Sequence, residues 1–201
     1  MRLADQVILI TGSTTGIGAA RAAFVQGDLA GAALACFGDV TSLVNNAALT
    51  SRAHLSETDV AFFDRTIAVN LRAPLMFIRA LLPALKRTQG CVLNIGSVLA
   101  HCGQANLLAY SISKGGLVTM TRNLADTLGP DRVRVNQLNV GWTLTENEYR
   151  TKIGDGLPPD WPDHLPHYAV PSGKLLLPED IAEAAIYWAD RKSTRLNSSH
   201  G

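Results

Sequence analysis

The sequence is short of charge. Its 201 residues carry 18 Lys and Arg against 17 Asp and Glu, a formal net charge of +1, and charged residues make up only 17% of the chain. Neither nucleic acid nor an anionic membrane has an electrostatic handle on such a protein. Cysteine is scarce too: Cys36, Cys91 and Cys102 are an odd, scattered set, which argues against a disulfide framework. They read as reduced cytoplasmic thiols, mostly buried as small apolar groups. Neither the cysteines nor His54, His164 and His167 have metal-ligand spacing. No apolar run approaches membrane-span length, and MRLADQVILITG enters a strand directly, with no signal peptide. Apolar side chains are plentiful at 47%, enough for the core of one α/β domain whose strands are covered on both faces.

The informative residues are concentrated between Ser97 and Lys114, SVLAHCGQANLLAYSISK. Tyr110 and Lys114 are four residues apart in a segment that reads as the start of a long helix, so both stand on one face. An ammonium beside a phenol favours the phenolate and lowers the tyrosine pKa, which makes a proton donor and acceptor near neutral pH. Ser97 closes the apolar run CVLNIG and so stands at a strand's carboxyl end, where open α/β sheets place their chemistry. YxxxK alone equally describes a half-exposed tyrosine and a solvated lysine. The serine, with a Gly-rich turn near the N-terminus, moves the balance to a catalytic site.

A β-branched run over residues 7–10 predicts a strand buried on both faces. It feeds Thr11-Gly12-Ser13-Thr14-Thr15-Gly16-Ile17-Gly18 and an Ala-rich helical segment, a turn that lets backbone N–H groups approach a pyrophosphate. Residues 39–44 predict a second strand, ending in Asn45-Asn46-Ala47-Ala48. Ser56-Glu57-Thr58-Asp59 predicts a capping box opening a helix with Phe62, Phe63 and Ile67 inward. Asn70-Leu71 breaks that period, and Pro74 starts a second helix to about residue 86. Strands over 91–95 and 133–140 flank the Tyr110 helix, whose stripe runs through Leu117, Met120, Leu124 and Leu128. A helix from Pro178 to about residue 189 completes an alternating order that implies a parallel sheet. Residues 142–178 carry six prolines and little periodicity, and read as a substrate lid or as a surface excursion.

Thr11-Gly12-x-x-x-Gly16-Ile17-Gly18, Asn45-Asn46-Ala47, Asn70, Ser97, Tyr110-x-x-x-Lys114 and the turn at Gly141 occur in the order found in the classical short-chain dehydrogenases/reductases, which this chain resembles. The resemblance implies an α/β, doubly wound parallel (Rossmann) sheet in truncated form over residues 1–189. It also implies hydride transfer between NAD or NADP and a small-molecule alcohol or carbonyl. Tyr110 would be the acid/base, Ser97 would hydrogen-bond the substrate oxygen, and Lys114 would lower the Tyr110 pKa and hold the nicotinamide ribose. Asn70 would anchor a water relay behind Lys114. Gly12, Ser13, Gly16, Ile17 and Gly18 would face the pyrophosphate, Asn45 and Ala47 the adenosine side, and Gly141, Thr143 and Thr145 the nicotinamide end. The helices of residues 57–87 resemble those that build a homodimer or homotetramer interface.

Departures from the pattern are informative. Only twenty-six residues separate Gly18 from Asn45, whereas one βαβ unit takes about 30 or more, so two strands with their helices do not fit. The first strand is then expected at the sheet edge. Asp28 reads either as the adenine-facing end of a third strand or as the cap of the next helix. The acidic or basic residue that would separate NAD from NADP falls in the missing interval; the lack of Arg and Lys in residues 13–15 leans slightly to NAD. Val140 stands where the family usually has proline, which makes the turn at Gly141 less rigid. His101 reads as pocket-lining or as a surface residue, and Trp142 and Trp161 as substrate wall or core. Residues 190–200 look like an in-frame translation of a sequencing adapter, so 190–201 are read as a non-native tail and the copy as incomplete.

Overall fold

The computed structural model describes residues 6–12 and 28–190. Four strands, β1 (Ile8–Ile10), β2 (Ser42–Asn45), β3 (Cys91–Ser97) and β4 (Arg134–Val140), pair in parallel in the order β1-β2-β3-β4. Among the described residues β1 pairs with β2 alone and lies at the edge, as expected from the short interval after the glycines.

The sheet is covered on both faces because its strands alternate apolar side chains to either side. On one face α1 (Leu29–Phe37), α3 (Ala73–Thr88) and α5 (Leu108–Leu128) pack through Ala33, Ile78, Leu81, Leu85 and Ala125 against Leu43, Val92 and Val135. On the other, α7 (Pro178–Ala189) brings Ile181, with Ala185 and Trp188 beside it, against Val44, Leu93, Ile95 and Val140. This is the doubly wound arrangement. Three further helices, α2 (Val60–Ile67), α4 (Leu99–Cys102) and α6 (Glu146–Gly154), lie in the connections.

Several local expectations are corrected. The helices predicted on either side of Asn70 are one continuous stretch, because a π-turn at Ala68–Arg72 absorbs the period break between α2 and α3. The stretch Val60–Thr88 is 29 residues long, with mean hydropathy 1.4 in its most apolar part, so by length and composition it passes as a membrane span. It is a core helix here, with Ile78, Leu81, Ala84 and Leu85 at most 2% exposed. The Ser56 capping box is replaced by two caps. Glu57 accepts from the His54 N–H at 2.9 Å, and Asp59 caps α2 through Phe62 N at 2.7 Å. Two of the three thiols expected to be buried, Cys36 and Cys102, are exposed. Only Cys91 is buried, and burial pushes its thiol pKa up.

Of the two readings of Asp28, the structure takes the cap: its carboxylate accepts from Gly31 N at 3.0 Å at the start of α1. The adenine-facing reading takes Asp28 as the end of a strand over residues 24–27, which lie outside the described residues. Ser13, Gly16, Ile17, Gly18 and the tail from residue 191 lie outside the described residues.

Candidate active site

All four strands point their carboxyl ends to one edge of the sheet, which gathers Gly12, Asn45, Ala47, Ser97 and Gly141 there. Two of these ends are stitched together. Thr11 Oγ1 accepts from the N–H groups of Asn46 and Ala47, both at 3.1 Å, and Asn46 Nδ2 donates to the carbonyls of Thr11 and Gly12. Gly12 has φ +65°, and a Cβ there would lie 2.6 Å from Ala47 Cα, so only glycine fits.

The catalytic candidates meet over β3. Ser97, 6% exposed, accepts from Leu99 N at 3.2 Å and lies beside the Tyr110 side chain. Lys114 is 3% exposed, donates to the carbonyl of Ile95 at 2.7 Å, and holds Nζ 5.6 Å from the centre of the Tyr110 ring. α5 can carry these groups because its next turns, Leu117 and Ala125, are apolar and buried.

Electrostatics correct one expectation. Burial raises the Tyr110 pKa above its ordinary value, and the Ser97 hydroxyl beside it offsets part of this rise. Burial also lowers Lys114 to about 8. Desolvation penalises both charged forms, and the Lys114 ammonium is spent on a backbone carbonyl, so it does not make Tyr110 acidic in this state. The phenol stays protonated at neutral pH, ready to donate.

Asn70 sits in the π-turn, 1% exposed, where its Oδ1 accepts from Leu49 N at 2.7 Å. Its Nδ2 donates to Leu49 O and, at 3.0 Å, to Ser113 Oγ, which donates to the Tyr110 carbonyl at 2.6 Å. Asn70 therefore reaches the Tyr110 turn through Ser113, a residue that sequence reasoning passed over although it adjoins Lys114. Beyond β4, Thr143 donates to the Gly141 carbonyl at 3.2 Å, and Thr145 caps α6 by accepting from Glu148 N at 3.1 Å. His101 is exposed and faces Asn139 at 3.2 Å. Among the described residues no group of His, Cys, Asp and Glu is arranged to hold a metal ion.

The residues fit a nicotinamide cofactor at this edge. Lys114 has three N–H donors and donates one of them to Ile95, while the buried Asn45 Oδ1 has no hydrogen-bond partner.

A family model described as Enoyl-(Acyl carrier protein) reductase matches residues 22–199. The chain belongs to the short-chain dehydrogenase/reductase family of NAD(P)-dependent oxidoreductases. It is 33% identical over 173 residues to an inactive 2-(S)-hydroxypropyl-CoM dehydrogenase 2 of Xanthobacter autotrophicus, covering 85% of this chain and 74% of that one. Against trans-4-hydroxycyclohexanecarboxylate dehydrogenase of Sinomonas cyclohexanicum it is 29% identical, covering 92% and 71%. Against D-xylose 1-dehydrogenase of Caulobacter vibrioides it is 39% identical, but covers only 62% of this chain and 51% of that enzyme. In fold it matches a short-chain dehydrogenase/reductase of Caenorhabditis elegans solved with its cofactor, at TM-score 0.84 and 22% identity over 98% of this chain and 93% of that one.

Proposed function

We propose that this chain interconverts an alcohol and a carbonyl compound, with Tyr110 moving the proton. The observation that carries the reading is that the buried Ser97 and Lys114 and the half-buried Tyr110 are brought to one strand end. NAD or NADP, with a slight preference for NAD, would supply or accept the hydride. Lys114, Asn45, Ala47, Gly12, Gly141, Thr143 and Thr145 would hold it, together with Ser13, Gly16, Ile17 and Gly18.

In carbonyl reduction, Ser97 and Tyr110 orient the substrate oxygen between their hydroxyls, and the Tyr110 hydroxyl gives its proton to that oxygen as negative charge develops. In alcohol oxidation the deprotonated Tyr110 oxygen takes the proton, a form favoured as pH rises. Lys114 would hold the cofactor's ribose through the N–H donors left over from Ile95, and Asn70 with Ser113 fixes the helical turn that aims Tyr110. Residues 142–178 act as the substrate lid. α2 and α3 leave Val60, Leu75 and Met76 exposed, breadth that suits pairing with a second copy as a dimer or tetramer.

A second reading, a nucleotide-binding remnant without turnover, is favoured by the short edge strand β1 and by the relative described as inactive. One experiment separates them. NADH and NADPH are titrated by fluorescence, and secondary alcohols and ketones are then screened for cofactor turnover. Binding with turnover supports the dehydrogenase reading, binding without turnover supports the remnant, and no binding overturns both.

A further inference from the structure

Five side chains close a ring beside the turn that follows β4. The Trp142 Nε1–H donates to Glu148 Oε1 at 3.0 Å. Arg52 Nη2 lies 3.5 Å from that same oxygen, and Arg52 Nη1 pairs with Asp155. Lys152 Nζ lies 3.8 Å from Asp155 and 5.3 Å from the centre of the Trp142 ring, which returns the circuit to its start. Four members belong to residues 142–155. Arg52 comes from the loop after β2, about a hundred residues away in sequence.

We propose that Arg52 is a positioning residue, clamping α6 through Glu148 and Asp155 and thereby fixing the Trp142 indole and the Gly141–Thr145 turn. Two observations give this clamp work to do. Val140 leaves that turn without the proline that would stiffen it. The loop carrying Arg52 is itself anchored to the start of the catalytic helix, since Ala53 N donates to the carbonyl of Asn106 at 2.9 Å, four residues before Tyr110.

Chemistry selects arginine here. A guanidinium fork can serve two carboxylates at once, whereas a lysine ammonium is a point charge. An isolated exposed pair contributes little, but the side chains of Arg52 and Glu148 are each only 25% exposed, and their contacts share one circuit.

The inference rests on the dehydrogenase reading for its effect on turnover, but not for its structural readout. Trp142 and Trp161 are stacked with centroids 5.5 Å apart and planes 16° apart, so in the full chain they form an exciton pair visible by circular dichroism. Trp161→Phe assigns the couplet. Arg52→Ala is expected to abolish it with helix content unchanged, Arg52→Lys to recover part of it, and Glu148→Gln, which keeps an acceptor for the indole, to weaken it. In a turnover assay Arg52→Ala raises KM about fivefold, with kcat nearly unchanged. Tyr110→Phe removes turnover and leaves the couplet intact, so the two ideas fail separately. A couplet unchanged in both Arg52→Ala and Glu148→Gln overturns the clamp, and Glu148→Gln decides alone if Arg52→Ala does not fold.

Discussion

The two ends of the sheet are built to different standards. β3 and β4 are paired from Cys91↔Arg134 to Ser97↔Val140, and every residue of β3 is buried. β1 and β2 are paired only from Ile8↔Ser42 to Ile10↔Val44, and every residue of β1 is half-buried. The first end carries the groups proposed to move the proton, and the second carries the start of the proposed cofactor cradle. Long buried pairing fixes Ser97 and Lys114 to the frame, whereas the Gly12 end depends on side-chain stitches from Thr11 and Asn46. Precision at the Ser97 end is inherited from the core, and at the Gly12 end it is assembled locally.

Mutations can break or sharpen that contrast. The largest effect is expected for Leu93→Ala in β3, where the side chain is 1% exposed; a loss of ~2–5 kcal/mol in urea unfolding is predicted. Leu9→Ala in β1 should cost well under half as much, because Leu9 is only partly buried at the margin of its core. Equal losses would end the contrast. Gly12→Ala should destabilise by ~1–3 kcal/mol through its positive φ and the contact with Ala47, and should weaken NADH binding in a fluorescence titration.

Lys114→Met is expected to act in the opposite direction, stabilising the protein by ~1–2 kcal/mol at pH 7 because it removes a buried ammonium, less the lost bond to Ile95. The sign follows from the shift. Between about 8 and the ordinary value of 10.5 the unfolded chain holds a proton that the folded chain has released. Wild-type stability therefore rises with pH across that window, and the rise should be missing in Lys114→Met when urea midpoints are compared at pH 7 and pH 10.

Much of this fold was legible because its signals are local and strong. β3, β4, α5 and α7 fall within a few residues of their apolar runs and helix stops. The gathering of Ser97, Tyr110 and Lys114 followed from helix spacing and strand polarity. α6 escaped notice because Glu146–Gly154 is polar, with no buried residue to mark a face. Its order comes from Thr145, Arg52 and Trp142, which are tertiary or capping contacts. The π-turn at Asn70 was visible only as a broken period, since its cause is a polar residue drawn inward to Leu49 and Ser113. The Tyr110 pKa went the other way from expectation because spacing shows that a lysine is near, but not that it is buried and already hydrogen-bonded.

The most direct measurement is the comparison of wild-type protein with Tyr110→Phe in two assays: nicotinamide cofactor affinity, and turnover of an alcohol or ketone accepted by the wild type. The predicted result is an unchanged cofactor dissociation constant with turnover reduced ~10²–10⁴-fold, the contribution expected of a positioned proton donor. Near-normal turnover in Tyr110→Phe would contradict the assignment of the proton to this hydroxyl.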